Sequence, residues 1–136
     1  MTYLDTSAMI RAWKLDVAPA HVTRSHSVAE FYATLTRGLT VTLKGVKTRV
    51  QFAPKEAAAG AKETFSAMRF KDLDGPQSIS ELEAAAVKNV HGANIHDWMH
   101  AAAAKKAGCN QIVTTNEKHF KLVTALPLVE PTHFFS

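Results

Sequence analysis

Short apolar runs and stretches of helical periodicity alternate along the chain. Runs of two to six residues are typical of buried strands, and they lie at 3–4, 21–23, 68–73, 111–114 and 126–129. Between these runs, apolar residues recur three and four positions apart, which predicts helices. The helices are predicted from Asp5 past Trp13, from Val28 to Gly38, from Pro54 to about Met68, from Ser78 to about Val90 and from Asn94 to Gly108, with one further turn from Asn116 to Phe120.

Strands that alternate with helices predict an α/β fold. The arrangement favours an open, mostly parallel sheet of four to five strands with helices on both faces. In such a sheet, function is expected outside the carboxyl ends of the strands. The segment 39–52 fits neither period, and we expect a basic loop or a hairpin there.

Length and composition are those of one folded domain, spanning residues 1–136. Hydrophobic residues make up 46% and charged residues 21% of the chain, which excludes disorder and low-complexity repeats. The single cysteine, Cys109, excludes an internal disulfide and is typical of a cytoplasmic protein. No apolar run has transmembrane length and no signal peptide is evident, so we expect a cytoplasmic domain with no membrane contact.

Positive charge is concentrated in one segment. The formal net charge is +4, and residues 31–55 contain five bases and no acid. This arrangement suits a polyanion such as RNA, although a solvated basic loop explains it equally well. The candidate backbone contacts are Arg37, Lys44, Lys47 and Arg49.

Three acids and one amide stand at or near predicted helix starts: Asp5, Glu30, Asp97 and Asn116. Each has a structural explanation, because helix starts favour side-chain caps and negative charge. Asp5 and Asn116 can cap the helices that follow them. Capping-box spacing occurs at Ser27–Glu30, Asn94–Asp97 and Ser78–Glu81. The last pair has no companion motif, so this spacing alone does not identify chemistry.

Taken together, these residues predict a divalent-cation site. Asp5 and Asn116 directly follow strands that would end on the same edge of one sheet, so the acids would gather there and repel one another. Mg²⁺ or Mn²⁺ resolves that repulsion and can activate water for attack on a phosphodiester. Nearby hydroxyls could orient the carboxylates or waters, or serve only in turns: Thr6, Ser7, Thr114 and Thr115.

The histidines give weaker signals. His96 and His100 have the one-turn spacing of a zinc pair, but the sequence indicates no third ligand. His119 lies close to Asn116 and is a candidate proton shuttle or phosphate contact, or simply a surface residue.

Four segments in this order resemble the PIN-domain ribonucleases, most closely the VapC-type toxins of toxin–antitoxin pairs. They are YLDTSAMI, SVAEFY, ANIHDWMHAAAAKKAG and IVTTNEKHF, and they span nearly the whole chain. The resemblance implies a small α/β domain, a Mg²⁺ or Mn²⁺ site, an RNA substrate, a homodimer and an antitoxin partner that masks the site. It makes Asp5, Glu30 and Asp97 the metal ligands and adds Asn116 as a catalytic position.

Asn116 departs from the pattern of many PIN nucleases, which have an aspartate at this junction. An amide can coordinate through its carbonyl oxygen but adds no charge, so one-ion catalysis is the safer expectation. Two other functions stay open at this point. One is a non-catalytic PIN module that binds RNA or a protein, and the other is a housekeeping RNA-processing nuclease.

Overall fold

The computed structural model describes residues 1–136 and contains a five-stranded parallel sheet, a separate β-hairpin and seven helices. In chain order the elements are β1 Thr2–Leu4, α1 Thr6–Lys14, β2 Val22–Thr23, α2 His26–Arg37, β3 Leu39–Leu43, β4 Val46–Val50, α3 Pro54–Thr64, β5 Arg69–Phe70, α4 Gly75–Val87, α5 Asn94–Lys106, β6 Gln111–Val113, α6 Glu117–Phe120, β7 Leu128–Val129 and α7 Pro131–Phe134. The predicted α/β class is confirmed. None of the helices combines the length and apolar character that crossing a bilayer requires.

The sheet has the strand order β5-β2-β1-β6-β7, and every pairing in it is parallel. From β1 the chain builds outward to one edge through β2 and β5, and then returns to pair β6 with the other side of β1. The register places Leu4 opposite Val113, so β1 and β6 end at the same level. This reversal point is where a ligand cleft is expected in an open parallel sheet.

Alternate residues of the central strands enter two different cores. Leu4 and Val113 belong to a cluster with α1, α2 and α3, whereas Tyr3 and Ile112 pack with α5 and Phe120. Successive side chains of a strand point to opposite faces of a sheet. Helices therefore cover both faces, as the sequence predicts.

The start of α4 corrects a prediction. Asp74, expected in a turn, is the N-cap, and it forms a capping box with Gln77. Ser78, the predicted cap, lies inside the helix and donates to the Asp74 carbonyl, while Glu81 accepts a bond from Trp98. Asp74–Gln77 and Ser78–Glu81 both have capping-box spacing and start four residues apart. The helix begins at the first of these pairs, which also has a proline in the first turn.

Several other boundaries differ by a few residues. The helix predicted from Val28 begins at His26, Asn94 is the first residue of α5 rather than its cap, and α4 ends at Val87. The turn α7 was not predicted. The strand predicted at 68–73 is shorter, because β5 spans only Arg69–Phe70. Beyond it, the Asp72 carboxylate accepts hydrogen bonds from the backbone N–H and the hydroxyl of Ser25.

The basic segment is a hairpin. Strands β3 and β4 pair antiparallel from Leu39 opposite Val50 to Leu43 opposite Val46. Lys44 and Gly45 form the turn, and both have positive φ angles, of 50° and 77°, as tight hairpin turns require. The hairpin resolves the loop-or-hairpin alternative left open by the sequence.

Candidate functional site

A cleft of about 580 Å³ opens at the carboxyl ends of β1 and β6. Its walls come from α1, α2, α5 and the loop after β6, and only two of its 15 lining residues are hydrophobic. The four predicted chemistry-bearing residues all line this cleft: Asp5, Glu30, Asp97 and Asn116. Residues far apart in the chain thus converge on one concave, polar surface.

Asp5 has both a structural and a chemical role available to it. It is the N-cap of α1, and its Oδ1 accepts from the Ala8 backbone N–H at 2.9 Å and from Ser7 Oγ at 2.6 Å. Its Oδ2 accepts from Thr114 Oγ1 at 2.6 Å. A carboxylate offers about four lone-pair positions. One position on Oδ2 therefore remains for a cation or a water, although the residue is only 5% exposed.

Glu30 lies in the second turn of α2, and the predicted capping box with Ser27 is wrong. Ser27 instead bonds Thr23. Glu30 Oε1 accepts from Thr6 Oγ1 at 3.0 Å and from His100 Nε2 at 3.1 Å, whereas Oε2 has no hydrogen bond. Burial alone would raise the pKa of Glu30, but the bond and charge of His100, helped by Thr6, outweigh burial and lower it to about 2.

Asp97 differs from Glu30 both in its hydrogen bonding and in the direction of its pKa shift. It is half-buried in the first turn of α5, and neither of its carboxylate oxygens has a hydrogen-bond partner. Burial raises the pKa of Asp97, and the nearby charge of Asp5 raises it further, against smaller lowering effects of His100 and His119. An unpartnered carboxylate beside other acids is stabilised by a cation.

The carboxylates fit one hard divalent ion with retained waters. Ligand atoms of Asp5, Glu30 and Asp97 do not all lie within 4.8 Å of one another; the only trio of metal-ligating side chains that does is His26, Glu30 and His96. Mg²⁺ ordinarily binds one or two carboxylates directly and keeps several waters, which can bridge to more distant groups. The open lone pair of Asp5 and the unpartnered Asp97 suit direct contact best.

The sequence did not indicate the pair formed by His100 and Tyr3. His100 is 3% exposed, and its Nδ1 lies 2.7 Å from the Tyr3 hydroxyl. Since the Glu30 carboxylate can only accept, His100 Nε2 must carry a proton. Both ring nitrogens are therefore engaged, so His100 does not form a zinc pair with His96, in keeping with the weak zinc signal of their spacing.

Three of the four predicted hydroxyls orient the carboxylates. Thr6 bonds Glu30, and Ser7 and Thr114 bond Asp5. Thr115 differs, because only its backbone N–H takes part, donating to Ser7 Oγ. This ring of bonds fixes the inner wall of the cleft.

Basic residues occupy one rim of the cleft. Arg37 lines it as predicted, together with Arg11 and Lys14 of α1, which were not among the predicted residues. Burial, followed by the charge of Arg11, lowers the pKa of Lys14. Ser7, Arg11 and Lys14 share one helical face, so helical periodicity applied to polar residues could have found these two bases. The other predicted bases, Lys44, Lys47 and Arg49, are exposed on the hairpin and do not line the cleft.

Asn116 and His119 flank the carboxyl end of β6. The Asn116 side chain makes no cap bond to α6, which contradicts its predicted structural role and leaves its amide in the cleft wall. His119 is exposed and outside the cleft lining, but its charge reaches Asp97 and lowers that residue's pKa.

The fold and site together define an α/β protein with an acidic cleft at the reversal point of a parallel sheet and a basic rim beside it. No protein-family model matches the chain, and no curated protein matches it. Functional assignment therefore depends on the geometry and chemistry of the cleft.

Proposed function

We propose that this chain is a Mg²⁺- or Mn²⁺-dependent endoribonuclease of the PIN type. The observation that carries the proposal is that Asp5, Glu30 and Asp97 line the same cleft, beside a basic rim. Acids alone would repel a nucleic acid, and bases alone would only bind it. A divalent ion among acids, with cations alongside, is the combination that phosphodiester hydrolysis uses.

Asp5 and Asp97 would hold the ion directly, and Glu30 and Asn116 would bind waters around it. When bound, the ion supplies charge stabilisation for the phosphate and activation of an attacking water. The chain's own contribution is orientation. Ser7 and Thr114 fix the carboxylate of Asp5, and His100 and Thr6 fix that of Glu30. His119, whose charge lowers the pKa of Asp97, is a candidate to pass a proton between solvent and the cleft.

The bases would position the RNA backbone. Arg11, Lys14 and Arg37 face the cleft and suit the phosphate nearest the reaction. Lys14 Nζ also donates to the Thr40 carbonyl of the hairpin, which links the cleft rim to the exposed bases Lys44, Lys47 and Arg49. Phosphates on either side of the cleaved bond could follow this track.

The biological setting we propose is that of a toxin of a VapC-type toxin–antitoxin pair. It rests on the resemblance of the four sequence segments to those of such toxins. In that setting the chain forms a homodimer, acts on RNA in the cytoplasm, and is held inactive by a cognate antitoxin that covers the cleft.

Cleavage of a labelled RNA pool tests the proposed activity. The wild type, Asp5→Asn and Asp97→Asn are compared in Mg²⁺, Mn²⁺ and EDTA. Asp16→Asn is the matched control, because Asp16 is exposed, lies outside the cleft and has a φ of 56°, which asparagine tolerates. Asp5→Asn keeps an oxygen for the Ala8 N–H, so the fold should persist, as circular dichroism would verify.

We expect metal-dependent products from the wild type and Asp16→Asn, with a loss of at least about 100-fold in the two cleft variants. Full activity in Asp5→Asn, or cleavage that persists in EDTA, would overturn the assignment. Folded wild type that binds RNA without cleaving it would favour the non-catalytic binding module.

A further inference from the structure

A second group of metal-ligating side chains lies at the mouth of the cleft. His26 is the first residue of α2 and Glu30 follows it by four positions, which places both on one face of the helix. His96, on the first turn of α5, faces them. One ligand atom from each of the three side chains lies within 4.8 Å of the other two.

The two imidazoles are free to bind. His26 and His96 are exposed, and neither ring has a hydrogen-bond partner. The two rings are stacked, with an interplanar angle of 12° and centroids 6.1 Å apart. Aligned, unpartnered rings can both turn a nitrogen toward one point. Solvent exposure leaves them room for the small rotations that this requires.

Glu30 presents a prepared carboxylate to the same point. Its Oε1 is held by Thr6 and by the buried His100, whereas Oε2 makes no hydrogen bond. A ligand carboxylate fixed from behind by other side chains is the arrangement that orients metal ligands in proteins. The His100–Tyr3 pair extends this support into the core.

We propose that His26, Glu30 and His96 form a binding site for Zn²⁺. Two imidazoles and one carboxylate are a common zinc ligand set, and imidazole selects Zn²⁺ over Mg²⁺. Tetrahedral ligands at about 2.1 Å from zinc lie about 3.4 Å apart, so atoms that lie within 4.8 Å of one another need to approach by at most about 1.4 Å. The fourth position faces solvent and takes water.

Zinc at this position engages Glu30, which also belongs to the acidic cleft. If the proposed nuclease function holds, on which this consequence rests, Zn²⁺ inhibits the Mg²⁺-dependent reaction by withdrawing Glu30 and obstructing the cleft mouth. Inhibition is then lost in His26→Ala, whereas the basal cleavage of this variant in Mg²⁺ is retained, because His26 lies outside the cleft lining.

Zinc titration of the untagged full chain in excess Mg²⁺ tests the site without reference to cleavage. Isothermal calorimetry with ZnCl₂ is run on the wild type, His26→Ala and His96→Ala. His133→Ala is the matched control, because it removes an exposed histidine outside the trio. Circular dichroism verifies that each variant is folded, and Co²⁺ absorption reports imidazole ligation independently.

We expect one zinc per chain in the wild type and the control, and affinity at least about tenfold weaker in each trio variant, since even indirect support of a ligand is worth about 10- to 100-fold. Wild-type affinity in His26→Ala and His96→Ala, or no zinc binding by the wild type, would overturn the proposal. Zinc binding by a chain that cleaves no RNA would leave this site standing and refute only the nuclease.

Discussion

Glu30→Gln should destabilise the protein in a manner that depends on pH. The pKa of Glu30 falls from an ordinary 4.5 to about 2, and its side chain is 26% exposed. At roughly 1.4 kcal/mol per pKa unit, the charged form is worth about 3 kcal/mol to the folded state. Glutamine keeps an oxygen to accept from Thr6 and His100, so the variant removes mainly the charge.

The sign of the pH effect follows from the depressed pKa. Stabilisation by a carboxylate whose folded pKa is lowered is fully present above the unfolded pKa of 4.5 and is lost as the pH falls toward 2. The wild type should therefore exceed Glu30→Gln by about 3 kcal/mol at pH 7, and by less than half as much at pH 3.

Urea unfolding in metal-free buffer, followed by circular dichroism from pH 3 to pH 7, measures this difference. Glu63→Gln is the control, because it makes the same substitution at an exposed position of α3. Its stability should stay within about 0.5 kcal/mol of the wild type. A wild-type advantage over Glu30→Gln that is constant with pH would refute the reasoning, because it would attribute the loss to packing instead of charge.

Three further predictions concern the cleft and the hairpin. In EDTA at pH 7, Asp97→Asn should be more stable than the wild type, because the pKa of Asp97 is raised in the folded protein and its ionised form therefore destabilises the fold above about pH 3.8. Mg²⁺ should raise the Tm of the wild type but not that of Asp97→Asn, as thermal unfolding would measure. Lys44→Ala with Lys47→Ala should reduce the salt slope of single-stranded RNA binding by about 1.4, measured by fluorescence anisotropy, whereas Lys62→Ala should not. Tyr3→Phe should cost about 1–3 kcal/mol in urea unfolding, because it leaves a buried imidazole nitrogen without its partner.

Much of the fold could be predicted because its strands are short, apolar and bounded by helix signals. Successive side chains of the central strands are buried in two different cores. Because both faces of the strand are buried, its sequence is a continuous apolar run such as Ile112–Val113. Helix starts were less predictable, since capping patterns occur within a few residues of one another. Ser78 illustrates this, because its hydroxyl bonds back to Asp74 inside the helix that it was expected to begin.

The sequence predicts the polar residues that line the candidate site, but not the buried partners behind them. Asp5 and Asn116 follow strands, so parallel topology brings them to one edge whatever the rest of the chain does. The partners that set the electrostatics come from long-range packing. His100 meets Glu30 across 70 positions and Tyr3 across 97, and no local spacing encodes either contact.

The three carboxylates of the cleft differ in what each needs. Asp5 is bound by three donors, and Glu30 is paired with His100, so protein groups already offset their charges. Asp97 has no such partner, and its pKa moves upward while that of Glu30 moves downward. Carboxyl groups whose pKa values are shifted in opposite directions take different roles in a site. We therefore expect the ionised form of Asp97 to depend most on a bound cation, so that, if the cleft binds the proposed metal, the charge of Asp97 would couple the stability of the cleft to metal binding.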